Sequence, residues 1–146
     1  MKAEKIDISP YNHKVDLQVR YTDIGVLDHV NNAVYQQYFD FGKYKYFSDI
    51  LTQLFSYHGD MLVMAKIAVN YFYPINVTET LEVYTRVISI RDKSLTVEQV
   101  LVGKRNEQLK AHAESVMVGY NCKTQQSHPI PDVWRERISI FEGKDF

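Results

Sequence analysis

The chain has 146 residues, 45% of them hydrophobic and 24% charged, the size and make-up of one ordinary globular domain. A formal net charge of −1, with acids and bases intermixed, argues against nucleic acid as the main partner. No apolar run approaches the roughly 18 residues that a membrane span needs.

A single cysteine, Cys122, leaves no internal disulfide and cannot anchor a cysteine-type zinc site alone. The opening MKAEKIDISPYNHK lacks the apolar core of a signal peptide. One domain over residues 1–146, located in the cytoplasm, is the expectation. Eleven tyrosines and seven phenylalanines point either to a ring-rich core or to an apolar binding slot lined with rings.

Residues 14–21, KVDLQVRY, alternate: Val15, Leu17, Val19 and Tyr21 fall on one face, Lys14, Asp16, Gln18 and Arg20 on the other. That pattern predicts a half-buried strand. From Asn32 the period changes. Tyr35, Tyr38, Phe39, Gly42, Tyr46 and Ile50 form one stripe of a long helix, with Asn31 or Asn32 as its N-cap. Gln36, Gln37, Asp40 and Lys43 are expected away from the stripe, and Tyr44 and Phe47 on the polar side. Gly42 costs about 1 kcal/mol in helix propensity, which suits a helix pressed closely onto a sheet.

His58-Gly59-Asp60 reads as a turn. Residues 61–73 are apolar and rich in strand formers, until Pro74-Ile75-Asn76 breaks the run. Three more alternating segments follow at 81–87, 95–101 and 111–119, joined by polar turns at 91–93 and 104–108. Short turns between consecutive strands imply antiparallel hairpins. Pro131 is well placed to start a short helix with Val133, Trp134, Ile138 and Phe141 on its apolar face. The order predicts an α+β fold, one long helix against a five-stranded antiparallel sheet. On the other face Ile88, Ile90, Val100, Val116 and Val118 remain, and a second copy of the chain is the economical cover.

This order of elements resembles the hotdog fold, in which a curved antiparallel sheet wraps a long central helix. RYTDIGVLDHVNNAVY, continued by QQYFDFGKYKYF, is similar to the acyl-CoA thioesterases of the 4-hydroxybenzoyl-CoA thioesterase type. Their motif reads roughly Arg-aromatic-x-Asp-x-Asp-x-x-Gly-His-Val-Asn-Asn-x-x-Tyr. AKIAVNYFYPINVTETLEVYTRV resembles the family's second and third strands, and MVGYNCKTQQSHPIPDVWRERISIFEG its last strand and closing helix. The likeness covers about residues 12–143, and acyl-carrier-protein thioesterases share its motif. It implies a homodimer or homotetramer with sites at the subunit interface. The substrate would be an acyl-CoA or acyl-carrier-protein thioester, its carbonyl held at the start of the central helix and a loop carboxylate attacking it or activating water. No cofactor is implied. His58, His112 and His128 have no ligand-like spacing, so no metal is expected either.

Thioester hydrolysis passes through an oxyanion that backbone N–H groups stabilise, and a helix start offers such groups with a partial positive charge. Asn31, Asn32, Ala33, Val34 and Tyr35 are therefore the candidate substrate-binding residues; the plain alternative is an ordinary helix cap. The carboxylate departs from the family pattern. Asp23 matches the first acid, Gly25 stands where the second belongs, and Asp28 stands where the family has glycine. Three readings stay open. Asp28 has taken over as base or nucleophile. Alternatively Asp23 is the base, although an aspartate there also suits pairing with Arg20 or bonding to loop N–H groups. In the third reading the carboxylate is lost and the protein binds acyl thioesters without cleaving them. His29 is a further catalytic candidate, a general base beside Asp28. Neighbouring residues of an extended loop point opposite ways, however, so a direct dyad is not the default geometry.

Overall fold

The computed structural model describes residues 5–51 and 59–146, so His58 of the expected 58–60 turn lies outside the described residues. The strands are β1 (His13–Gln18), β2 (Asp60–Tyr71), β3 (Thr80–Ile90), β4 (Ser94–Gly103), β5 (Leu109–Asn121) and β6 (Gln126–Ser127); the helices are α1 (Asn32–Leu51) and α2 (Asp132–Glu142). The sheet runs β1-β3-β4-β5-β2, every pair antiparallel, and the two-residue β6 adds a sixth strand beside β5.

Alternation carries Leu81, Val83, Thr85 and Val87 of β3, Leu95, Val97, Gln99 and Leu101 of β4, and Ala111, Ala113, Ser115 and Met117 of β5 to the inner face. Across that face lies α1, packed chiefly on β1, β3 and β4. The approach is close at Gly42. A β-carbon there would lie 2.5 Å from Val83 Cγ1 and 2.8 Å from Gln99 Nε2, so a glycine that is poor for the helix is what the packing demands. The core has two lobes. One gathers Phe39, Ile75, Leu81, Val83 and Leu101; the other gathers Tyr46, Val87, Leu95, Trp134 and Ile138. Tyr46 donates to Glu142 Oε1 at 2.5 Å, which also accepts the Val87 N–H at 3.2 Å. That carboxylate ties the end of α2 to α1 and β3.

Several local expectations are corrected. β1 stops at Gln18, and Tyr21 begins a single 3-10 turn, Tyr21–Asp23, where its ring is 86% exposed. Phe47 and Lys43 of α1 are buried rather than turned outward. Val133 is exposed while Trp134 and Ile138 carry the buried side of α2. A register shift between Val87 and Ser89 turns Ile90 into the core with Leu95. On the outer face, Tyr84, Val100 and Val102 are covered by the chain's own Ile6 and Tyr11.

Gly42→Ala sets a steric clash of about 1–3 kcal/mol against a propensity gain of about 1 kcal/mol. A net loss of up to about 2 kcal/mol is expected, read in urea as a lower midpoint at unchanged slope.

Candidate functional site

After the 3-10 turn the chain makes a narrow loop closed by a bridge between Ile24 and Val30. Inside it, Gly25 N–H donates to His29 O at 2.9 Å and Asp28 N–H to Gly25 O at 3.2 Å. Asp28 has φ +63°, the left-handed region. Glycine holds that region at least cost, and aspartate tolerates it. The family's glycine therefore falls on a position of backbone demand, which this chain fills with aspartate. Position 25 carries no such demand: a β-carbon there would meet Asn31 Cβ at 3.6 Å, ordinary contact.

The three acid–base candidates lie in different surroundings. Asp23 is 2% exposed. Its Oδ2 accepts the Tyr38 hydroxyl at 2.6 Å and the Arg20 N–H at 2.9 Å, and its Oδ1 faces the Arg20 guanidinium at 3.0 and 3.2 Å. Burial works against its charge, but the bonds from Tyr38 and Arg20 prevail and hold the carboxyl below the usual aspartate range. Asp28 is exposed, and among the described residues its carboxylate has no hydrogen-bond or ion-pair partner. His29 is half-buried and lines a cavity of about 250 Å³ with Gly25, Val26, Leu27, Val30, Asn31 and Asn32.

The start of α1 forms one wall of that cavity. Its amides are nearly all engaged. Val30 N–H donates to Ile75 O at 2.9 Å, Asn31 N–H to Asp23 O at 2.9 Å, and Val34 N–H to Asn31 O at 2.8 Å. Ala33 N–H donates to Asn31 Oδ1 at 3.0 Å, which makes Asn31 the cap. Among the described residues the Asn32 N–H has no acceptor. It carries the helix's positive end into the cavity wall. The Asn32 carbonyl accepts the Tyr71 hydroxyl at 3.4 Å. Tyr35 is buried with its ring edge-on to Tyr71 at 5.0 Å; burial, then the neighbouring Tyr71 and Glu79, push its hydroxyl up to about 12. Ala33 is exposed.

Tyr38, Tyr71 and Ile75 shape the site and were not singled out from sequence. Tyr38 sits on the expected apolar stripe, where nothing distinguishes a ring with a buried hydroxyl partner from a plain core ring. Ile75 acts through its carbonyl, which no side-chain pattern encodes. Among the described residues, no three His, Cys, Asp or Glu side chains gather as metal ligands, and no helix is long and apolar enough to cross a membrane.

The model of the thioesterase-like superfamily matches residues 19–138. Protein THEM6 of Xenopus laevis is 31% identical over 90 residues, covering 61% of this chain but 44% of that protein, so the chain spans less than half the length of this curated relative. A thioesterase of Thermus thermophilus, solved with coenzyme A and Zn, superposes with a TM-score of 0.80 at 28% identity, covering 94% of this chain and 99% of the other. A 1,4-dihydroxy-2-naphthoyl-CoA thioesterase of Synechocystis shares the fold with a TM-score of 0.77 at 17% identity, covering 86% and 93%.

Because the Asp23 pKa is lowered on folding, its contribution is present at neutral pH and lost as pH falls from about 4 through the lowered value. Arg20 is mostly exposed, so the worth lies in the Tyr38 and backbone bonds. Asp23→Asn is expected to cost about 2 kcal/mol at pH 7. In unfolding curves against pH, the gap to wild type closes below about pH 4.

Proposed function

The chain belongs to the thioesterase-like superfamily, and from that premise we propose that it hydrolyses an acyl thioester, most naturally an acyl-CoA. The observation that carries the reading is the Asn32 N–H, an unbonded first-turn amide in the wall of a cavity shared with His29. The thioester carbonyl accepts from that N–H, and the developing oxyanion is stabilised by the amide and by the helix's positive end. His29 is the base that takes the proton of the attacking water. The tetrahedral intermediate then collapses, the carbon–sulfur bond breaks, and the thiolate leaves as the thiol with that proton. The water is taken up in the cavity that Gly25, His29 and Asn32 line together.

The two aspartates take other parts. Asp23 has its oxygens occupied by Tyr38 and Arg20, which suits holding the loop rather than accepting a proton from water. Asp28 is the rival base, from an exposed left-handed turn. A second reading, binding without cleavage, draws on Gly25, since that position could carry a β-carbon in ordinary contact and has no carboxylate. A paired form belongs to the proposal. β2 ends the sheet and leaves an edge for a second copy, and a dimer or tetramer mass in light scattering is the expected result.

Free thiol release from short, long and aromatic acyl-CoA, and from acyl-carrier protein, tests the reaction. Asn32→Pro removes the N–H at a first helical position, where proline is well tolerated. It should lower kcat by about 10²–10³ while the thermal midpoint stays close to wild type. His29→Ala should lower it by about 10²–10⁴, and Asp28→Asn by little. The reverse ranking of those two would make Asp28 the base. No thiol from wild type, together with a gain of activity in Gly25→Asp, would favour the binding protein.

A further inference from the structure

On the side of α1 that faces β2, beyond the Asn32 amide, lie polar groups that an apolar core does not require. Because α1 packs chiefly on β1, β3 and β4, the inner residues of β2 are left half-covered. At one end Tyr71 touches the Asn32 carbonyl. Farther along, Met64 Sδ lies 3.9 Å from Lys43 Nζ. Eleven residues separate Asn32 from Lys43, about 16 Å along the axis and about 20° around it. Both therefore lie on the same side of α1.

Lys43 is 5% exposed. Its ammonium lies 3.3 Å from the half-exposed Asp40 carboxylate, 3.5 Å from Gln99 Oε1 and 3.9 Å from the Met64 thioether. These are long contacts, and a thioether is a weak acceptor. Gln99 is held in place, its Nε2 donating to Phe39 O at 2.9 Å and Thr85 Oγ1 at 3.0 Å. Burial draws the Lys43 pKa down against the pull of Asp40.

Ser115 is 1% exposed, and its hydroxyl has no partner among the described residues. Strand register puts it in this place. It pairs with Val97 and Ile67, between the Gln99–Ala113–Val69 row and the Leu95–Met117–Met64 row. Lys43 reaches a member of each flanking row. A cavity of about 230 Å³ lies beside Lys43 and Met117, lined also by Asp40, Tyr44, Phe47, Leu51 and Leu62; Ser115 is next to Met117's row and does not itself line it. An unpartnered buried hydroxyl is costly, and so is a nearly buried ammonium whose nearest partner is one half-exposed carboxylate at 3.3 Å. Methionine and alanine would fill the same space without either cost.

We propose that Lys43 and Ser115 receive the far end of the acyl group, so that the substrate is an acyl thioester tipped with an oxygen acceptor: a hydroxyl, a carbonyl or a carboxylate. This rests on the thioesterase reading of the Asn32 site. Lys43 and Ser115 each donate one hydrogen bond to the tip, replacing the thioether contact, while the methylenes run along β2. The lysine side chain leans back toward the helix start, so the span fits an extended chain of roughly eight to twelve carbons. A site built to hydrogen-bond a substrate group discriminates strongly against the analogue that lacks it.

The test compares decanoyl-CoA, 10-hydroxydecanoyl-CoA and 9-carboxynonanoyl-CoA as substrates, with the three matching non-cleavable CoA thioethers as ligands in calorimetry. In wild type, kcat/KM for at least one oxygen-tipped substrate should exceed that for decanoyl-CoA by about tenfold or more, and the thioether Kd values should follow. The hydroxyl and carboxylate arms tell a neutral tip from an anionic one. Lys43→Met should bring the ratio near one, and Ser115→Ala should reduce it several-fold, with thermal unfolding confirming that both variants fold. Equal kcat/KM across the three substrates, or a ratio unchanged in both variants, would overturn the inference and leave hydrolysis standing. Tighter binding of a tipped thioether without any thiol release would do the opposite. If no thioether binds and no thiol appears, both fall.

Discussion

The carboxylate of Asp23 fixes the junction on which the site is built. It is buried, it takes the Tyr38 hydroxyl from α1 and the guanidinium and N–H of Arg20 from the chain leaving β1, and the residue's own carbonyl takes the Asn31 N–H. One residue thus joins the end of a strand, a 3-10 turn and the cap of the long helix. Lys110 steadies the segment on the other side. Its ammonium, nearly buried, meets Glu79, Gln108 and the Pro74 carbonyl, beside Ile75, whose carbonyl takes the Val30 N–H. With both sides pinned, residues 30 to 34 have little freedom, and which amide stays unbonded follows from the geometry of the two anchors.

The exchange of Gly-x-x-Asp for the family's Asp-x-x-Gly has two halves of different kinds. At position 28 the requirement is conformational: a φ of +63°, cheap for glycine and bearable for aspartate. At position 25 the issue is space beside the helix start, and the backbone places no demand. An acid at 28 is thus compatible with the turn, and its side chain is exposed.

Periodicity made the elements legible. The alternating segments became β3, β4 and β5, the stripe from Tyr35 to Ile50 became α1, and Asn31 capped it. At two places a local event reset the period. The 3-10 turn at Tyr21–Asp23 took Tyr21 out of the strand. The register shift before Ser89 moved Ile90 inward. Lys43 is four residues after Phe39 and three before Tyr46, squarely on the buried side, but its charge outweighed its phase in the sequence reading. The motif pointed to the stretch from Arg20 to Tyr35. It could not say which acid was occupied and which amide was free, because those facts depend on Tyr38, Ile75 and Asp23 meeting from distant parts of the chain.

The donor in the cavity wall is a backbone N–H. Every residue type except proline carries one, so this feature is inherited with a turn rather than with a letter. The side chain at 32 can therefore change, proline excepted, without touching that N–H, while Asn31 occupies the neighbouring Ala33 amide through its own side chain. Kinship at such a site is better traced through the neighbours that occupy the other amides than through the residue that presents the donor.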